Sequence, residues 1–150
     1  MKRIPLLTLA LAVLLAAGIG ACKKNKKDDD SSSCGTVCNK PLDNGQTAGT
    51  TPSGIVGKYK LTYHKVNNGG PFADGEQVNF ELTSDNKLKV STASDCVTIE
   101  NPRATSPVEV SFPDNCKFNV SFAASASTQG GLNEVNVGSL TGQFYGQFRK

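Results

Sequence analysis

From Gly54 to Lys150, apolar and polar residues alternate with a period of two, and turn-forming residues break the alternation about every ten positions. Successive side chains of an extended strand point to opposite faces, so each such run predicts a half-buried β-strand. The first run places Tyr59, Leu61 and Tyr63 on one face and Lys58, Lys60, Thr62 and His64 on the other, and Asn67-Asn68-Gly69-Gly70-Pro71 ends it. Further inward sets are Val78, Phe80 and Leu82; Leu88 and Val90; Val97 and Ile99; Val108, Val110 and Phe112; Phe118, Val120 and Phe122; and Leu132, Val135 and Val137. A last run from Leu140 to Phe148 puts Leu140, Phe144 and Phe148 on one face, with Gly142 and Gly146 between them to relieve crowding where the strand curves. About eight strands with short connections predict an all-β domain over residues 54–150. The expected form is an antiparallel meander closed into a barrel, which removes exposed edges, or else a β-sandwich.

Ahead of this domain the pattern is different. Residues 23–53 contain no apolar period, open on Lys23-Lys24-Asn25-Lys26-Lys27-Asp28-Asp29-Asp30-Ser31-Ser32-Ser33, and are then rich in Gly, Thr, Asn and Pro. Such a segment buries too little to offset the entropy of ordering, so residues 22–53 are expected to be a disordered tether with a root-mean-square span of roughly 30 Å. Before it, Lys2 and Arg3 precede an apolar stretch from Ile4 to Ile19 that ends in small residues. A basic start, a short apolar core and a small-residue cleavage site make a secretory signal peptide over residues 1–21, and the stretch is shorter than the roughly 20 residues that span a bilayer.

Ile19-Gly20-Ala21-Cys22 resembles the lipobox of bacterial lipoproteins. The resemblance implies that Cys22 is acylated, that it is the first residue of the mature chain, and that the protein is anchored by lipid to the outer membrane, on its periplasmic or its surface side. Two lipid signals already suffice for stable anchoring. The Lys run followed by an Asp cluster also resembles the export signal of surface lipoproteins in Bacteroidetes, although that signal normally starts closer to the cysteine than Asp28 does. Loss of residues 1–21 lowers the formal charge from +3 to +1, and residues 54–150 hold nine Lys and Arg against nine Asp and Glu. A neutral domain lacks the positive stripe that nucleic-acid binding requires.

Acylation of Cys22 leaves four cysteines, and an even number in an exported chain favours disulfides over metal. Cys34 and Cys38 lie in the tether and Cys96 and Cys116 in the domain. Three pairings are open; the local one, Cys34 with Cys38 and Cys96 with Cys116, is the simplest. Cys96 and Cys116 would be two strand spacings apart in a flat sheet, roughly 9.5 Å, beyond the 7 Å or so that a disulfide allows between Cα atoms. Their bond therefore belongs between two turns, Ser94-Asp95-Cys96 and Asp114-Asn115-Cys116, at one end of the meander. No metal site is expected, since His64 is the only histidine and lies in a different element from any cysteine.

Gly54-Ile55-Val56-Gly57-Lys58-Tyr59-Lys60-Leu61-Thr62 resembles the opening strand of lipocalin-like domains, with Tyr59 where those domains usually carry Trp. That resemblance implies a small apolar ligand in a barrel mouth lined by Tyr59, Phe80, Phe118 and Phe144. Short strands argue against it, because the ten Phe and Tyr of the chain would fill so small a barrel. Catalysis has little support: there is no nucleophile elbow, phosphate-binding Gly loop or His-Glu-x-x-His motif, and Glu76 and Glu81 have opposite strand parity. No cofactor is implied. The expected function is therefore a non-catalytic binding module, with an envelope protein, a glycan or a small apolar ligand as partner. Its candidate surfaces are the loop 124–131 and the outward row Gln143, Tyr145 and Gln147, where an aromatic beside amides can stack on a sugar or lie against a protein.

Overall fold

The structure, a computed structural model, describes residues 34–67 and 69–150. The expected signal peptide, Cys22 and the charge run lie outside the described residues. The fold is all-β, one curled mixed sheet of ten strands that forms an open half-barrel. All eight expected strands are present: β2 (Gly57–Lys65), β3 (Gln77–Leu82), β4 (Leu88–Ser91), β5 (Cys96–Ile99), β7 (Glu109–Asp114), β8 (Val120–Ala126), β9 (Leu132–Ser139) and β10 (Tyr145–Arg149). Two more, β1 (Thr36–Cys38) and β6 (Arg103–Ser106), have no apolar alternation to announce them.

The order across the sheet is β1-β5-β4-β3-β2-β10-β9-β8-β7-β6. The meander therefore joins its first and last long strands, with Phe148 opposite Tyr63 and Gln147 opposite His64. The expected barrel fails to close elsewhere, between β5 and β6. Asn101 takes a left-handed φ of 55° and Pro102 has no N–H to give a ladder, so the chain turns the corner without forming a hairpin. The outer edge of β5 is taken instead by β1, which pairs with it in parallel, and the Cys38 carbonyl accepts the Glu100 N–H. Four residue steps separate Ile99 from Arg103, a reach of at most about 14 Å, so the two margins of the gap stay close at this corner.

Residues 34–51, which the sequence predicts to be part of a disordered tether, form a strap across this gap. Its start pairs with β5; its end reaches β6 through an antiparallel bridge between Ala48 and Arg103, with Ala104 N–H donating to Thr47 O and Gly49 N–H to Pro102 O. Gly49 is required at that crossing, because a Cβ there would lie 2.7 Å from the Arg103 carbonyl carbon. The strap is ordered by cross-links and backbone pairing rather than by an apolar face, which is why hydropathy alone reads it as tether.

The inner face is filled by rings. Phe148 lies 4.8 Å from Phe80, 5.0 Å from Phe72 and 5.1 Å from Tyr63 between ring centroids, and Phe122 joins the same cluster. Tilted and edge-on pairs at these separations stabilise a core beyond simple burial. Phe72 sits on the β2–β3 loop, outside any strand, and folds back over the end of the sheet. Gly146 makes room for Tyr63: a Cβ at that position would stand 2.3 Å from the ring. Two inward assignments change. Val108 is exposed in the β6–β7 turn, and β10 begins only at Tyr145, so Leu140 to Phe144 form a turn rather than strand.

Candidate functional site on the outer face

The outer face carries the row built from β9 and β10. Tyr145 and Gln147 alternate outward with the buried Gly146 and Phe148 between them, and Asn136 lies directly across from Gln147 on β9. Asn136 Oδ1 accepts hydrogen bonds from the Tyr145 hydroxyl and from Gln147 Nε2, the latter at 3.1 Å. Gln147 Nε2 also approaches the Tyr145 hydroxyl oxygen at 3.2 Å. Asn136 Nδ2 donates to Glu134 Oε1 at 3.2 Å, and Arg149 lies 3.6 Å from the other oxygen of that carboxylate. The phenol ring is thus held in one place while 37% of the residue stays exposed.

Its backbone is fixed as well. The Tyr145 carbonyl accepts the Val66 and Asn67 N–H groups, and its own N–H donates to Asn67 Oδ1. The segment after β2 therefore clamps the start of β10. His64 is exposed beside this row, opposite Gln147. Gln143 is not brought into it: the residue is exposed in the turn before β10. Asn136, which organises the site, was not singled out in the sequence. Its signal was its outward parity in β9, between Val135 and Val137.

The other predicted positions fall elsewhere. Within 124–131, Ala124 to Ala126 belong to β8 and Ser127 to Gly131 form a hydrogen-bonded turn in which Gly130 N–H donates to Ser127 O. The four residues expected to line a barrel mouth pack into or against the hydrophobic core instead. Phe80 is 1% exposed, and the Tyr59 hydroxyl donates to Ile55 O at 2.9 Å. Glu81 pairs with Lys89 across the β3–β4 register at 3.2 Å, and Glu76 accepts the Ala73 N–H, so they form no carboxylate dyad.

The cysteines pair across the gap, Cys34 with Cys96 and Cys38 with Cys116, rather than locally. Their Cα separations of 5.1 and 5.7 Å lie within disulfide range. The two turns expected to meet do so, since Lys117 pairs with Asp95. β1 nevertheless pairs along β5 here, with Cys34, two residues before the strand, bonded to Cys96 and Cys38, its last residue, bonded to Cys116. Cys38, Cys116 and Asp114 converge, but both sulfurs are bonded to each other. The Asp114 carboxylate is fully buried and accepts the N–H groups of Cys116, Lys117 and Phe118 at 2.7 to 3.0 Å. Those three bonds close the β7–β8 turn.

A concavity of about 430 Å³ lies beside the strap, lined by Leu42, Gly49, Asn86, Lys87, Glu100 and Asn101 among others. Lys87 bridges Asp85 and Glu100 there at 3.3 and 3.2 Å. The Glu100 hydrogen bond, reinforced by Asp85, raises the ammonium pKa, so the local charges satisfy one another. Among the described residues no helix is long and apolar enough to cross a membrane. Comparison with known proteins finds no matching family model, no matching curated protein and no matching solved structure.

Proposed function

We propose that the chain is a non-catalytic binding module held on the bacterial outer membrane by an acylated Cys22, and that it takes a glycan of the envelope on the outer-face row of Tyr145, Gln147 and Asn136. The observation that carries this reading is the fixed phenol ring with amide groups beside it. A flat ring stacks on the apolar face of a sugar, and neighbouring amides donate and accept in the plane of its hydroxyls. Fixing these groups before binding lowers the ordering cost of association. The interior speaks against the lipocalin-like alternative, since Phe80 is part of the hydrophobic core and Tyr59, Phe118 and Phe144 pack against that core.

Titration of the oxidised chain with fragments of envelope glycans tests this reading. Binding by the wild type and at least about a tenfold loss in Tyr145→Ala, roughly 1.4 kcal/mol or more, is the expected result. Equal binding by the two proteins rejects the surface, and a stoichiometric lipid released from the purified protein supports carriage instead. The anchor has its own test: Cys22→Ser should move the protein out of the membrane fraction, and retention there would rule out anchoring by acylation.

A further inference from the structure

Each disulfide lies near a carboxylate, but the one near Cys34–Cys96 is paired with a lysine and the one near Cys38–Cys116 is buried. Cys34, which is 5% exposed, and the half-buried Cys96 border an open groove of about 330 Å³ together with Gly35, Ser91, Thr92 and Asp95, and this groove gives a small reductant its approach to the bond. Ser91 Oγ stands 3.0 Å from Cys96 Sγ, and with the sulfurs bonded only the hydroxyl has a hydrogen to donate. The Asp95 carboxylate at this groove is paired with Lys117 and accepts the Ser94 hydroxyl at 2.8 Å. At the other disulfide, Cys38 is fully buried, and the buried Asp114 carboxylate lies within 4.8 Å of both sulfurs.

We infer that Cys34–Cys96 is a thiol-exchange site, opened by a dithiol reductant while Cys38–Cys116 persists. A thiolate of the reductant attacks Cys34 Sγ; a mixed disulfide forms, the Cys34–Cys96 bond breaks, and Cys96 leaves as a thiolate that accepts the Ser91 hydrogen bond. A better stabilised leaving thiolate departs faster. The second thiol of the reductant loses its proton to water and attacks the reductant sulfur of the mixed disulfide. That step releases Cys34 as a thiolate and closes the reductant's own disulfide, so two electrons pass from the dithiol to the cystine and both cysteines end in protonation equilibrium with water. The same attack on exposed Cys116 meets the field of Asp114 and expels Cys38 as a thiolate buried beside that carboxylate, which both burial and like charge disfavour. Reduction of Cys34–Cys96 therefore removes the covalent tie between Cys34 and the start of β5, leaving β1 held there by backbone pairing, while the strap stays bonded to the β7–β8 turn.

Incubation of the oxidised chain in dithiothreitol, followed by acid quenching, alkylation and mass spectrometry, reads the two bonds separately. Cys34–Cys96 should open about tenfold faster or more, and Ser91→Ala should slow that bond severalfold without changing the rate at Cys38–Cys116. Circular dichroism establishes that the variant is folded. Opening of Cys38–Cys116 first or at the same rate, or an unchanged Cys34–Cys96 rate in folded Ser91→Ala, overturns the inference.

Discussion

The strap of residues 34–51 and the meander that follows it belong to one hydrogen-bonded sheet, yet different forces hold them. Of twenty-two buried hydrophobic residues among those described, twenty lie between Ile55 and Phe148, while the strap contributes only Cys34 and Cys38. The meander is ordered by burial of apolar area, the dominant favourable term in folding. The strap is ordered by two covalent cross-links, a few backbone hydrogen bonds at the margins of the gap, and the Thr51 N–H donated to Asn86 Oδ1. A sheet can thus be finished at its edges by a segment that could not fold by hydropathy, provided that it is tied at both sides.

The largest expected effect lies in the meander. Phe148 is fully buried and touches rings from β2, β3, β8 and the β2–β3 loop, so Phe148→Ala should cost about 3–5 kcal/mol in denaturant unfolding. A loss below about 1 kcal/mol would mean that the rings do not form the core. Next, the double variant Cys38→Ser/Cys116→Ser should cost about 2–4 kcal/mol. Its loss should differ in kind, with the amides that bond the strap to β6, Gly49 in the strap and Ala104 on β6, exchanging freely and the β9 and β10 amides still protected. If strap and meander amides lose protection together, the two regions form a single cooperative unit and the contrast disappears.

The smallest effect is electrostatic. Asp43 ties the strap to β6 through Arg103 at 3.2 Å, and the Lys40 hydrogen bond is the first cause holding its carboxyl below the ordinary value of 3.8. A carboxylate whose pKa is lowered by folding contributes stability above its unfolded pKa and loses it as pH falls through the folded one. Strap protection should therefore start to fade as pH falls below about 4, with the ion pair largely screened even at neutral pH because Asp43 is exposed. Exchange at Ala104 followed against pH, in wild type and in Asp43→Asn, measures this; identical profiles would remove the ion pair from the account.

The meander was legible in the sequence because its strands alternate. Leu132, Val135 and Val137 were read as one inward set although Leu132 differs from the other two in parity; a register shift between Ser125 and Ala126 skips Asn133 and makes that reading hold. Of the two glycines read as relieving crowding, Gly146 does so and Gly142 does not, since it lies in the turn before β10 with open space around it; the partner of Gly146, Tyr63, is set by a pairing eighty-three positions away that no local pattern reveals. β6 was missed because Arg-Ala-Thr-Ser has no apolar face, and the strap because disulfide partners sixty-two and seventy-eight residues apart carry no local signal. At the candidate site, Tyr145 and Gln147 were visible as an outward pair. Asn136, which fixes them, depends on a cross-strand register that becomes visible only once β9 and β10 are aligned.

The central claim is that cross-links hold the strap and aromatic burial holds the meander. Amide hydrogen exchange on the full chain, oxidised and after complete reduction, tests it most directly. Gly49, Glu100 and Ala104, whose N–H groups donate across the gap, should lose protection on reduction, while Val135, Val137 and Phe148 keep theirs. Unchanged protection at Gly49, Glu100 and Ala104, or loss of protection at all six residues together, would contradict the claim.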